Sequence, residues 1–175
     1  MSKGTVAVLV ENDYQDMEVW YPLYRLREEG YTAVVAGPKP GPYTSKHGYP
    51  VRAEVAASDL RAEDLAGVII PGGWAPDRLR MDPGVVRIVR DLLIRGKVVG
   101  SICHGGWVLA SAGVVRGRRL TSYQAIRDDM VNAGAEFVDQ EVVRDGNLVT
   151  SRKPDDLPAF MREILAALRA PTAST

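Results

Sequence analysis

The chain has 175 residues, 46% hydrophobic and 25% charged, with 22 Lys plus Arg against 22 Asp plus Glu. That length suits a single domain with a full core, and the balanced charge supplies no basic field that would draw the protein to nucleic acid. One cysteine cannot close an internal disulfide, no apolar run approaches the ~20 residues of a membrane span, and Met1 to Gly4 leads into a strand pattern rather than a signal peptide, so a cytoplasmic protein is expected.

Thr5 to Val10 is uniformly apolar and β-branched, as a central parallel strand buried on both faces requires. Asn12 to Asp16 is polar turn and capping material. Met17, Trp20, Tyr21, Tyr24 and Leu26 then recur at helical spacing up to Gly30, with Pro22 predicting a kink or a loose first turn. Tyr31 to Ala36 reads as a second strand. Gly37 to Pro50, rich in Gly and Pro, reads as a loop or small hairpin carrying Lys46 and His47, with a surface role for His47.

Leu65 to Ile70 is another buried strand, stopped by Pro71-Gly72-Gly73. Asp82-Pro83 opens a helix whose core stripe is Val85, Val86, Val89, Leu92 and Leu93. The run Arg116 to Arg119 reads as a solvated loop. A helix is expected over about 124–133, a hairpin turn at Asp145-Gly146, and a last helix capped by Asp155-Asp156 and ending at Arg169. Residues 1–170 are expected to form one domain, and 171–175 a frayed tail. Alternating strands and helices predict a three-layer α/β sandwich on a mostly parallel sheet. Sites in such sheets form at the carboxyl ends of strands.

The most informative segment is Val98 to Gly106. An apolar strand runs into Ser101-Ile102-Cys103-His104-Gly105, and a helix follows. This is the shape of a nucleophile elbow. The helix end points free N–H groups at the turn and is expected to hold the Cys103 thiol below its ordinary value of about 8.5. A lone cysteine otherwise fills space in a core; the elbow context favours reactivity, either nucleophilic or redox. Gly72-Gly73 and the helix N-terminus supply oxyanion donors, and His104 supplies a proton carrier. A carboxyl near such a thiol has its own value raised. Neither metal-ligand spacing nor a nucleotide-binding fingerprint occurs, so no cofactor is expected.

The chain resembles the ThiJ/PfpI superfamily, in its PfpI branch. Matching pieces, in order, are Asp16-Met17-Glu18 with Tyr21-Pro22, Lys46-His47-Gly48-Tyr49, Pro71-Gly72-Gly73, Ala75-Pro76-Asp77 and Ser101 to Gly105. Ser111 to Val114, Thr121-Ser122-Tyr123, Asp128-Asp129-Met130 and Thr150-Ser151-Arg152 with Pro154 to Leu157 complete them. The resemblance implies a flavodoxin-like sandwich that forms dimers, often hexamers. It implies a nucleophile at Cys103, a buried Glu18 within reach of the sulfur, and an oxyanion hole from the amides of Gly73 and His104. The third triad member, a Glu from the neighbouring subunit, falls on Asp77, which is one methylene shorter.

The family's Cys-His-Gly-Pro is Cys-His-Gly-Gly here, followed by Trp107, and Trp74 follows Gly73. The indoles of Trp74 and Trp107, with Gly72 and Tyr123, are expected to wall a small, closed, apolar pocket. The implied substrates are reactive carbonyls such as methylglyoxal and glyoxal with their early amine adducts, or peptide bonds. A non-enzymatic cysteine sensor of oxidative stress is a further reading.

Overall fold

The computed structural model describes residues 1–170; the tail expected at 171–175 lies outside them. In chain order the elements are β1 (Thr5–Leu9), α1 (Asp16–Glu28), β2 (Thr32–Gly37), β3 (Gly41–Thr44), β4 (Pro50–Ala53), β5 (Val55–Ala56), β6 (Gly67–Ile70), α2 (Ala75–Leu79) and α3 (Pro83–Ile94). They continue with β7 (Val98–Ile102), α4 (Gly106–Ala112), β8 (Arg119–Leu120), α5 (Arg127–Asn132), β9 (Glu136–Phe137), β10 (Val143–Asp145), β11 (Leu148–Ser151) and α6 (Leu157–Arg169).

The main sheet has seven strands in the order β10-β11-β7-β6-β1-β2-β5. Every pair is parallel except β10 with β11, the hairpin closed by Gly146-Asn147. Helices α1 and α6 cover one face, and α3 and α4, flanked by α2 and α5, cover the other. This is the expected flavodoxin-like three-layer sandwich. The central strands are buried along their whole length, which is why their sequences are apolar without alternation. From β1 the chain builds outward to β2 and β5, then returns to add β6 and β7 on the other side. The crevice at the carboxyl ends of β1 and β6 is therefore the switch point where open α/β sheets hold ligands.

One helix continues through its proline, and one expected cap is corrected. Helix α1 runs unbroken from Asp16 to Glu28 with Pro22 inside it. Burial of Val19, Leu23 and Leu26 against the core offsets the one backbone hydrogen bond that proline forgoes. Asp156 stands at the N-cap of α6, but its carboxylate makes no bond to the helix amides. It accepts instead from Arg152 N, Nε and Nη2 at 3.0, 2.9 and 3.1 Å, because a charged forked donor binds a buried carboxylate more strongly than a backbone amide does. Asp82, by contrast, caps α3 as expected, accepting from Val85 N at 2.9 Å. Among the described residues no helix is long and apolar enough to cross a membrane.

Gly100 lies where α6 presses on β7. A Cβ there would come within 2.4 Å of Ile164 Cδ1 and 3.0 Å of Phe160 Cζ. Gly100→Val should therefore lower the unfolding free energy by about 1–3 kcal/mol, measured by urea denaturation.

Candidate active site

Cys103 is the first residue past β7, and its backbone is left-handed, with φ of 61°. A side chain in that conformation costs on the order of 1–3 kcal/mol. The surroundings hold it there. Its carbonyl accepts from Tyr123 N at 3.1 Å. Gly105 has no room for a Cβ, which would meet Ser101 Oγ at 2.7 Å and Ile70 O at 2.9 Å. The spacing Ser-x-Cys-x-Gly thus records a turn folded tightly back on its own strand. Gly106 likewise lets Met130 and Ile126 close on the start of α4.

Facing the elbow is the turn after β6. Gly73 has φ of 71°, and a Cβ on it would strike Asp13 O and Gln15 N at 2.5 Å. A Cβ on Gly72 would strike Cys103 Cβ and Glu18 Oε1 at 2.6 Å and Cys103 Sγ at 2.9 Å. Both glycines are thus required by close approach. Glu18, on the first turn of α1, is fully buried. Its Oε1 accepts from Gly72 N at 2.9 Å, and its Oε2 has no hydrogen-bond partner. The amides of Gly73 and His104 face the sulfur and favour its ionised form. His104 Nδ1 lies 3.3 Å from Sγ.

Burial pushes the Glu18 carboxyl up to about 8, against an ordinary value of 4.5. Burial first, and the Glu18 carboxylate second, push the Cys103 thiol up to about 12. The expectation of a lowered thiol value is therefore not met: the two facing amides are outweighed by desolvation and a like charge. The two groups titrate as a pair. The carboxylate's push on the sulfur exists only once Glu18 has lost its proton, and near neutrality Glu18 keeps it. Burial, and then the positive charge of Lys46, lower His104 and hold its imidazole neutral.

The structure gathers the expected aromatic residues around His104. Tyr123 stacks on its ring at 4.9 Å, Trp107 meets it edge-on at 5.1 Å, and Trp74 is tilted against it at 5.4 Å. Trp107 is fixed from outside by Asp129, whose Oδ2 accepts from Nε1 at 2.9 Å, and by Arg80 over its ring. The closed pocket is corrected to an open collar in the single chain, since Trp74 is 58% and Tyr123 41% exposed. Asp77 stands exposed on α2. Among the described residues no cluster of three or more His, Cys, Asp or Glu could hold a metal ion.

Sequence reasoning missed Tyr14, Lys46 and Asp129. Tyr14 is fully buried and pairs with both Gly73 and Ser45 in isolated bridges. Lys46 acts electrostatically on Glu18, Cys103 and His104 alike. No local pattern marks any of the three; only the Lys46-His47-Gly48-Tyr49 and Asp128-Asp129-Met130 segments of the family match touch Lys46 and Asp129.

A cysteine on a strained elbow, beside a buried carboxyl and a histidine, at the carboxyl edge of a parallel sheet defines a class of α/β sandwich. Residues 4–167 match the model of the DJ-1/PfpI family, and the chain belongs to that family. It is 44% identical over 164 residues to Deglycase PfpI of Pyrococcus furiosus, covering 94% of this chain and 99% of the relative. To Protein/nucleic acid deglycase 2 of Escherichia coli it is 42% identical over 173 residues, 97% and 100% of the two chains. A Bacillus subtilis protein named as a candidate cysteine protease, YraA, is also 42% identical, over 170 residues, with 97% and 100% covered. Among solved structures, a two-domain Anabaena variabilis protein with a DJ-1/ThiJ/PfpI-like domain superposes with a TM-score of 0.93 at 39% identity, over 94% of this chain and 48% of that one.

The Glu18 proton sets a pH dependence of stability. Unfolded Glu18 ionises near 4.5 and folded Glu18 near about 8. Between those values the unfolded chain has released a proton that the folded chain keeps. Stability from this residue is complete below the window and falls as pH rises through it. Urea unfolding at about pH 5 and about pH 8 should show wild type losing on the order of a few kcal/mol, and Glu18→Gln losing clearly less.

Proposed function

We propose that this chain is a cysteine-dependent enzyme of reactive carbonyls, acting on methylglyoxal, glyoxal and their early adducts on amines. The observation that carries the reading is the Cys103 sulfur itself: strained into place, 3.3 Å from His104 Nδ1, and beside a carboxyl that keeps its proton near neutrality. The names of the deglycase relatives support the same substrate class.

In this reading the thiol gives up its proton to His104, and the sulfur attacks an aldehyde carbon. As the S–C bond forms, the carbonyl π pair moves onto oxygen, where the amides of Gly73 and His104 receive it. Protonated Glu18 donates to the sulfur and steadies the thiolate before attack. His104 passes the thiol proton to the new oxyanion, then as a neutral base moves the proton of the attacked carbon to the neighbouring carbonyl carbon while the hydroxyl proton passes to that carbonyl's oxygen, leaving a thioester. Water hydrolyses it, releasing a 2-hydroxy acid and restoring the thiol. The sum is addition of one water to a dicarbonyl, with no external oxidant. The collar of Trp74, Trp107 and Tyr123 fixes His104 and shields one side of the intermediate.

Its openness in the single chain is the observation that favours the second reading, an intracellular peptidase. An exposed Trp74 leaves room for an extended peptide, and the name of the Bacillus subtilis relative points the same way. Purified wild type and Cys103→Ser, assayed with methylglyoxal and with a fluorogenic peptide, separate the two. Methylglyoxal consumption should fall at least about a hundredfold in the variant. Cys103-dependent cleavage of the peptide alone overturns the carbonyl reading.

The reading includes a second copy of the chain. Asp77, exposed on α2, supplies the acid that orients the His104 of a neighbouring subunit. Asp77→Ala should lower kcat, and dilution to monomer should remove turnover per subunit. Turnover per subunit that stays constant through dissociation contradicts the shared site.

A further inference from the structure

The loop between β3 and β4 takes no part in the chemistry above, yet it is stitched to the site. Residues 13–15 form a ribbon between two neighbours. On one side Trp74 N donates to Asp13 O at 2.9 Å and Gln15 N to Gly72 O at 3.2 Å. On the other, Asp13 N donates to Thr44 O at 2.8 Å and Lys46 N to Tyr14 O at 3.0 Å. Tyr14 bridges Gly73 and Ser45 at once. Lys46 therefore stands one ribbon away from the oxyanion turn.

The loop is also pinned from beneath. Ser45 Oγ donates to Asp16 Oδ1 at 2.7 Å and accepts from the amides of His47 and Tyr49 at 3.1 and 2.9 Å. Asp16 Oδ2 holds His47 Nδ1 at 2.8 Å, and Tyr14 donates its hydroxyl to Tyr49 O at 2.8 Å. Such a tether fixes where the Lys46 stem begins. Lys46 itself is exposed, and among the described residues none of the ion pairs includes it.

We propose that Lys46 is the fixed cation that draws the Cys103 thiol, beside a protonated Glu18, toward its nucleophilic thiolate. The charged and titratable groups that act on the sulfur are Glu18 from α1, His104 from the elbow, and Lys46 from the β3–β4 loop, whose backbone is one ribbon away from Gly73; Tyr123 stacks on the His104 ring. Of these, Lys46 is the one that brings a positive charge to bear on the thiol. Other cations nearby are occupied: Arg78 by Asp13 at 2.9 Å, and Arg80 by Ser111 and the Trp107 ring. The Lys46 charge favours the carboxylate and the thiolate and disfavours the imidazolium. The effects on Cys103 and His104 act in the direction that a thiolate with a neutral histidine beside it requires; the effect on Glu18 opposes them, and burial outweighs it by keeping that carboxyl protonated near neutrality. Lys46 acts through the thiol and is a positioning residue rather than a catalytic one.

The proposal rests on Cys103 as the reacting group, so its test reads the thiol and needs no carbonyl substrate. Iodoacetamide alkylation of Cys103 is followed against pH for wild type, Lys46→Met and Lys46→Arg, with thermal melts as a folding control. Lys46→Met should alkylate roughly threefold or more slowly at neutral pH, with its midpoint moved upward. Lys46→Arg should follow wild type. Salt at about 1 M should bring wild type toward Lys46→Met, because an exposed charge is screened. This arm needs no variant and stands even if a substitution disturbs the fold. A Lys46→Met profile that superimposes on wild type, an arginine variant as slow as the methionine one, or a wild-type rate indifferent to salt overturns the proposal. A shifted alkylation profile in a protein that turns over no carbonyl leaves this inference standing and sinks the proposed function.

Discussion

Glu18 and Cys103 place two acidic protons in one dry space, and much of the surrounding structure follows from that juxtaposition. Both groups prefer to stay neutral when desolvated, and neither ionises without penalising the other. Gly72 has to be a glycine because the carboxyl and the sulfur leave no volume for a Cβ between them. The amide of Gly72 takes one carboxyl oxygen, and the amides of Gly73 and His104 turn to the sulfur. The stored cost of the arrangement is spread over a strained backbone at Cys103, a partnerless Glu18 oxygen and a full α/β core that holds them still.

The sheet explains how such a cost is sustained. Gly72-Gly73 and Cys103 sit just past the ends of β6 and β7, and Glu18 stands on the first turn of the helix that follows β1, the next strand of the same sheet. Parallel pairing brings the three segments together, and the tight turns at Gly73 and Cys103 aim them at one another. A site built this way tolerates little adjustment, which holds Glu18, Gly72 and His104 close to one sulfur. The aromatic collar is different. It rests on α2, α4 and the segment before α5, with Trp74 and Tyr123 open to solvent, and it is the part of the site that substrate or a second subunit can reshape.

Much of this was legible in the chain. Val6 to Leu9, Val68 to Ile70 and Val98 to Ile102 announce themselves as buried strands because both faces are apolar, and the Ser-x-Cys-x-Gly turn announces the elbow. Glu18 is singled out by resemblance rather than by any local signal, since Glu11, Asp13 and Asp16 are acids of the same stretch. The direction of the thiol shift was misread because helix-end reasoning counts the amides next to Cys103. It does not count burial, or a carboxyl brought in from the far end of the chain. Tyr14 and Lys46 were passed over for a related reason: single bridges between ribbons distant in sequence leave no periodicity to read. Asp156 was misassigned because an aspartate ahead of a helix is an ordinary cap, and nothing local shows that Arg152 claims it first.

The two margins of the main sheet are short: β5 contributes two residues and β10 three. Unpaired backbone along such stubs offers little to an incoming extended chain, so growth by adding strands is discouraged at both borders. At these two borders the surface presented to solvent is therefore that of helices and loops, the kind of surface that also carries Asp77.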